Sequence, residues 1–407
     1  MNRLTHVSNF LGLRKSTVGM LFMVILVGMG ERMAERFLPI YLIALGGGAL
    51  SIGLLNGLDN LLSALYSFSG GYLSDRLGTK RALLIFNLLA MFGFLIVILI
   101  PAWQAVLVGA IFFLSWTAIS LPATMSLVAR VLPMNKRTMG VSMHSFVRRI
   151  PMALGPILGG LCIGAWGERN GVRVAFIAAL MLSIVAAILQ QILIEEDSPK
   201  EATDHRPVTP EKNPFRLLRD MSTPLRRLLV SDILIRFCEQ IPYAFVVVWS
   251  MKIIAAPVTA FQFGILTGIE MVTAMLVYIP VAYFADRSTK KPFVVTTFVF
   301  FTLFPFVLLF CQSFYLLVGA FILRGLKEFG EPTRKALIMD LAPEDRKASM
   351  FGLYYLLRDV VVSLAAFGGA FLWMVGPNVN FLVAFSCGLL GTFSFAVWGK
   401  DLSESRV

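Results

Sequence analysis

The sequence predicts an all-α membrane protein: twelve transmembrane helices arranged as two pseudo-symmetric six-helix bundles. Three observations carry that prediction. Hydrophobic residues make up 57% of the 407-residue chain and charged residues 15%, which leaves too little polar material to cover a water-soluble surface. Windows of about 20 apolar residues, long enough to cross the hydrocarbon core, recur along the chain. A charged turn, GGYLSDRLGTKR at 70–81, returns as VAYFADRSTKK at 281–291, with Asp75 and Asp286 211 residues apart.

The predicted spans run 17–43, 50–73, 82–101, 104–129, 140–166, 174–194, 228–250, 260–284, 292–311, 315–340, 350–374 and 379–399. Span 1 is too long, and too polar at its centre, for a cleaved signal segment. Span 2 ends in the charged turn, where Gly70, Gly71 and Gly78 permit close helix approach and a tight reversal. Span 4 contains AIFFLSWTAISLPATMSLVA, which has no charge, and span 5 carries GPILGG at 155–160. The four cysteines, Cys162, Cys238, Cys311 and Cys387, all fall inside spans and form no CxxC pair, which argues against disulfides and a thiolate metal site.

The net charge of +12 invites a nucleic-acid reading, and its distribution opposes one. Of 36 Lys and Arg, 25 lie in the tails and in alternate loops, against Arg169, Arg173 and Lys252 in the opposite loops. That bias is the positive-inside rule. It places both termini and the 70–81 turn in the cytoplasm, and the expected location is a bacterial inner membrane. Arg76, Lys80 and Arg81 can also anchor their loop on anionic lipid headgroups.

The halves repeat. GLLNGLDN at 53–60 aligns with GILTGIEM at 264–271, so that Asp59 meets Glu270; Pro122, Pro133 and Arg148 align with Pro332, Pro343 and Arg358. Duplication explains several matches in one order. The expected domains are a bundle at 1–194, a cytoplasmic linker with a short amphipathic segment at 195–227, and a bundle with a short tail at 228–407.

These residues resemble the major facilitator superfamily along essentially the whole chain. The family's turn, G-x-x-x-D-R-x-G-R/K-R/K, is similar to Gly71, Asp75, Arg76, Gly78, Lys80 and Arg81, with Thr79 where a basic residue is common. The second copy keeps Asp286, Arg287, Lys290 and Lys291 and lacks the glycines. The resemblance implies two bundles rocking about a midplane site lined by spans 1, 4, 7 and 10. It gives the turn the role of a gate latch, made and broken as the cytosolic side closes and opens. Span 4 departs from the pattern, because the Arg that many family exporters carry there is absent. GPILGG resembles a stretch of the family's proton-driven exporters; close packing of small residues explains it as well.

Ionisable residues inside a membrane are costly and are functional candidates by default. Span 1 carries Glu31, Arg32, Glu35 and Arg36; span 7 Arg236 and Glu239; span 8 Glu270; span 10 Arg324, Lys327, Glu328 and Glu331; span 11 Arg358 and Asp359. Asp59 lies about 24 Å along its helix from Asp75, toward the outer side, and Glu35 and Glu239 lie nearer the midplane. The substrate- and proton-coupling candidates are Glu35, Arg36, Asp59, Arg236, Glu239, Glu270, Arg324 and Glu328. A desolvated carboxylate can carry a proton, and an Arg can grip an anion with several donors. Arg148 and Arg358, at equivalent repeat positions, and Asp359 are expected as structural charge pairs.

No HExxH, Walker loop or nucleophile elbow occurs, so neither an enzyme nor a transport ATPase is expected, and no cofactor or metal. The expected function is secondary active transport by alternating access: proton antiport exporting a small organic molecule. The alternatives are proton-coupled uptake of an organic anion gripped by Arg36 and Arg236, a divalent-metal carrier using the carboxylates with Met143 or His144, and a non-transport receptor or assembly protein. The expected partners are the substrate, protons and membrane lipids, for a monomer without nucleic acid.

Overall fold

The computed structural model describes residues 15–114, 134–194, 221–285, 289–343 and 347–400, together with residues 116, 120, 124 and 219. Most of the second half of span 4, the linker at 195–218, and Asp286 and Arg287 lie outside the described residues, as do the side chains of Gly71, Asp75, Met143 and His144.

The described residues are helical and contain no strand. In chain order the helices are α1 Lys15–Glu35, α2 Leu38–Ala44, α3 Ala49–Leu77, α4 Thr79–Leu99 and α5 Trp103–Phe113. The stretch Met134–Leu193 follows, broken at Gly167 (φ 77°, ψ 172°) into α6 and α7. Then come α8 Thr223–Tyr243, α9 Val246–Val248 with a π turn Trp249–Ile253, α10 Ala260–Ala285, α11 Lys291–Phe310, α12 Phe314–Leu326, α13 Glu331–Leu341, α14 Lys347–Val375 and α15 Pro377–Trp398. Among them, Thr79–Leu99, Val147–Leu193, Ala260–Val277, Lys291–Phe310, Met350–Val375 and Pro377–Trp398 are long and apolar enough to cross a membrane. Thr223–Tyr243 with Val246–Ile253, bent by 42°, makes a seventh.

The breaks follow the sequence. Pro39 sits in the first turn of α2, where a missing N–H costs nothing. Gly78, at φ 83°, supplies the left-handed geometry between α3 and α4. Ser222 caps α8 by accepting from Leu225 N at 3.4 Å.

The chain forms two compact units. The first comprises Met1–Gly47, Leu62–Arg206 and Thr259–Ile265; the second comprises Gly48–Leu61, Pro207–Val258 and Leu266–Val407. In the first, α1 lies against α6 and α7 through small residues. A Cβ added to Gly155 would sit 2.6 Å from Arg32 Cβ, one on Gly30 would sit 2.8 Å from Ala179 Cα, and one on Gly159 would overlap Met33 O. The glycines of GPILGG are therefore spent on helix contact. Phe94, Phe113 and Phe176 pack with ring centroids 5.3, 5.4 and 5.8 Å apart. A buried polar chain pins the same unit: Trp116 Nε1 donates to Asn87 Oδ1 at 2.8 Å, Asn87 Nδ2 to Gln190 Oε1 at 2.6 Å, and Gln190 Nε2 to Lys80 O at 2.9 Å.

The second unit packs α8, α11, α13, α14 and α15 around Leu225, Leu228, Ile235, Phe298, Leu337, Tyr354 and Phe395. Gly388 and Gly391 of α15 bring its backbone close to Thr302 and Ser231. The start of α3 joins this unit, where Asn56 Nδ2 donates to Gln240 O at 2.9 Å.

Candidate functional site: a buried charge network

Two helical stripes build the site in the second unit. On α8, Asp232, Arg236 and Glu239 follow at intervals of four and three, so they share a face. Along α12 and α13, Arg324, Lys327, Glu331 and Arg334 follow at three, four and three. The chain turns between the two helices at Lys327–Gly330, and Gly330 N–H donates to Thr297 Oγ1 of α11 at 2.5 Å. Gly325 lets this segment approach α10: an added Cβ would lie 2.6 Å from Glu270 O. That approach brings Glu270 into the network.

The network has two connected parts. In the first, Lys327 Nζ lies 2.8 Å from Glu239 Oε1 and 3.4 Å from Glu270 Oε1, and Arg324 Nε lies 3.3 Å from Glu270 Oε1. The Arg324 guanidinium faces the rings of Phe304 at 5.0 Å and Tyr243 at 5.5 Å, which offset part of its desolvation. Glu239, Tyr243, Val246, Phe301, Phe304, Arg324 and Lys327 line a small cavity here. In the second part, Asp232 Oδ2 pairs with Arg334 NH1, accepts from Tyr354 OH at 3.0 Å and lies 3.5 Å from Arg358 NH1. Glu331 holds Arg334 NH2 at 2.7 Å. Arg236 joins the two, with NH1 2.6 Å from Glu239 Oε2 and NH2 3.4 Å from Glu331 Oε2.

Buried charges persist only when they are paired and hydrogen-bonded, and this network pairs them across five helices, α8, α10, α12, α13 and α14. Glu270 is 1% exposed and Arg334 1%. Arg334 lies on α13 inside the network.

Of the candidate residues, Arg236, Glu239, Glu270 and Arg324 meet in the network. Arg358, grouped as structural, reaches it through Asp232 and also lies 2.7 Å from Asp359 Oδ1. Glu328 is half-buried in the turn beside Lys327, and Asp59 half-buried on α3. In the first unit, Glu35 pairs with Arg32 at 2.5 Å, and Arg36 and Arg148 are half-buried. Of the turn, Arg76 and Arg81 are exposed, and Lys80 Nζ donates to Gln191 O at 2.9 Å. Sequence reasoning did not single out Asp232 or Tyr354, and it named Lys327 and Glu331 as intramembrane charges without placing them among the coupling candidates. The signal for Asp232 was present: it stands four residues before Arg236 and seven before Glu239, on the same helical face. Among the described residues, no group of three His, Cys, Asp or Glu side chains could hold a metal.

The family model of the Major Facilitator Superfamily matches residues 20–253 and 233–405. The chain belongs to the major facilitator superfamily. An uncharacterised MFS-type transporter of Methanocaldococcus jannaschii, MJ1317, is 22% identical over 384 residues, covering 90% of this chain and 91% of that protein. Among solved structures, the nucleoside transporter NupG superposes with a TM-score of 0.78 at 14% identity, over 95% of this chain and 100% of its own. A POT family transporter in complex with 5-aminolevulinic acid superposes with a TM-score of 0.75 at 13% identity, over 93% and 96%. These likenesses show the fold. As a member of this superfamily the protein is an integral multi-pass membrane protein and a secondary transporter of a small molecule, and not an enzyme.

Proposed function

We propose that this superfamily member couples proton movement to the transport of a small organic molecule bearing an anionic group, taken at the cavity between α8, α11 and α12. The observation that carries this reading is the cavity wall. It presents two cations, Arg324 held by Glu270 and Lys327 held by Glu239 and Glu270, and both carboxylates can be neutralised by a proton. A protonated Glu239 no longer competes for Lys327, and the ammonium, left with Glu270 alone, can take a carboxylate or phosphate of the substrate. Proton and anion are then bound together and cross together, which is symport. Phe301, Phe304 and Tyr243 supply apolar faces for the remainder of the molecule.

Sequence reasoning ranked antiport export first, on the GPILGG stretch and on the acidic pair Asp59 and Glu270. Gly155 and Gly159 of that stretch are occupied in packing α1, and Glu270 stands opposite Arg324 and Lys327. Both facts move the weight to the anion reading, which had been second.

The test is ligand binding to purified protein in nanodiscs across two compound sets, organic anions and lipophilic cations. Stabilisation by an anion that is lost in Arg324→Gln and Lys327→Gln supports the proposal. Binding confined to the cations overturns it.

A further inference from the structure

One contact in the charge network is unfinished. Asp232 Oδ2 accepts from Tyr354 and pairs with Arg334 and Arg358, while Oδ1 is buried and has no hydrogen-bond partner. Arg236 uses NH1 on Glu239 and NH2 on Glu331, while its Nε is also buried and has none. The two orphan atoms face each other at 4.0 Å. A carboxylate oxygen and a guanidinium N–H left unmatched in a buried site are each costly. They stay apart because a stronger contact, Arg236 to Glu239, holds the guanidinium back.

We infer that Arg236 is a two-position switch. With Glu239 ionised, the guanidinium is held on Glu239; when a Glu239 oxygen takes a proton, the guanidinium moves by about 1 Å and donates through Nε to Asp232 Oδ1. Glu331 remains its partner throughout and acts as the pivot. The inference rests on the reading of Glu239 as the proton-carrying carboxylate. The charged groups around Arg236 fit the handover. Its own helix offers Asp232 and Glu239, α13 offers Glu331 and Arg334, the α12–α13 turn offers Lys327 through Glu239, and α14 offers Arg358 through Asp232. From α11 it meets the ring of Phe301 at 5.3 Å, which covers the guanidinium without competing for its N–H groups.

The consequence is transmission between helices. In the first position, Asp232 of α8 is shared among Arg334 of α13, Arg358 of α14 and Tyr354 of α14. In the second, Asp232 gains an intrahelical partner, and its hold on α13 and α14 weakens. A proton taken at the cavity is thereby read where α8 meets α13 and α14.

Two measurements on the full-length protein in lipid nanodiscs test this. The first is the structure of Glu239→Gln, which mimics the protonated side chain. Arg236 Nε within hydrogen-bond distance of Asp232 Oδ1 is the expected result; Arg236 still on residue 239, or turned away from both, overturns the switch. The second is the pH dependence of uptake in Asp232→Asn and Arg236→Lys. Each should move the pH midpoint by about one unit to the acid side, a tenfold weaker proton affinity, with the maximal rate at low pH retained. A loss that is equal at every pH means that these residues only hold the fold, and overturns the switch. The two readings fail separately. Arg236 moving in Glu239→Gln while wild-type uptake carries no protons retains the switch and removes proton coupling; proton-coupled uptake with Arg236 unmoved does the reverse.

Discussion

Lys327 Nζ lies 2.8 Å from Glu239 Oε1, joining the turn between α12 and α13 to α8. The two side chains are 11% and 10% exposed, so the pair is held largely away from water. Removing one partner leaves the other with half its pairing, Glu239 keeping only Arg236 and Lys327 only Glu270, at a cost of up to about 3–5 kcal/mol. Lys327→Met is therefore expected to lower the melting temperature of the solubilised protein sharply. Lys327→Met combined with Glu239→Gln should recover most of that loss, because no charge is then stranded. Thermal unfolding of the singles and the double checks this, and additive losses would show that the pair is not coupled.

Binding should separate from stability at the same pair. The double variant, restored in stability, lacks the cation that takes the substrate's anionic group. A charged contact of this kind is worth about 2 kcal/mol or more, so affinity should fall by roughly 30-fold. Titration of the best anion against wild type and the double variant reads this directly.

Gly159 in α6 faces Met33 O of α1 with no room for a side chain. Gly159→Val must push the helices apart, at a cost of about 1–3 kcal/mol or more. Gly164 of the same helix has open space around it, so Gly164→Val should be tolerated far better. Yields of folded protein by size-exclusion chromatography distinguish the two, and equal behaviour would contradict the packing account.

Asn87 sits fully buried between Trp116 Nε1 and Gln190 Oε1. Asn87→Ala strands both partners, at about 1–3 kcal/mol for each group left unmatched. Asn87→Asp keeps an acceptor for Trp116 and opposes Gln190 Oε1 with like charge density, so it should be destabilised as well. Melting temperatures of the two variants check the ranking against an exposed control such as Arg81→Gln.

Much of the architecture was legible because hydropathy and charge asymmetry are written locally. A run of apolar residues has few ways to satisfy its backbone in lipid other than a helix, and the Gly78 turn announces its own geometry. The charge network was half legible. Arg236, Glu239, Glu270 and Arg324 stand out as charges within apolar runs. Asp232 stands near the start of its span and Arg334 near the end of another, so both read as boundary residues until the fold buries them against each other. Their pairing is a tertiary fact, the two partners standing 102 positions apart in the sequence. GPILGG stayed ambiguous: its residue types suit both an exporter signature and a helix contact, and the closeness of Met33 to Gly159 shows the contact.

The most direct test of proton-coupled anion transport is proton movement in proteoliposomes carrying an internal pH dye. Organic anions, lipophilic cations and divalent metals are added in turn to wild type, Glu239→Gln and Glu270→Gln. Acidification of the lumen when an anion is added outside, abolished in Glu239→Gln while binding of the anion persists, is the predicted result. Anion uptake with no dye response in wild type, or a response of the same size in Glu239→Gln, would contradict the account.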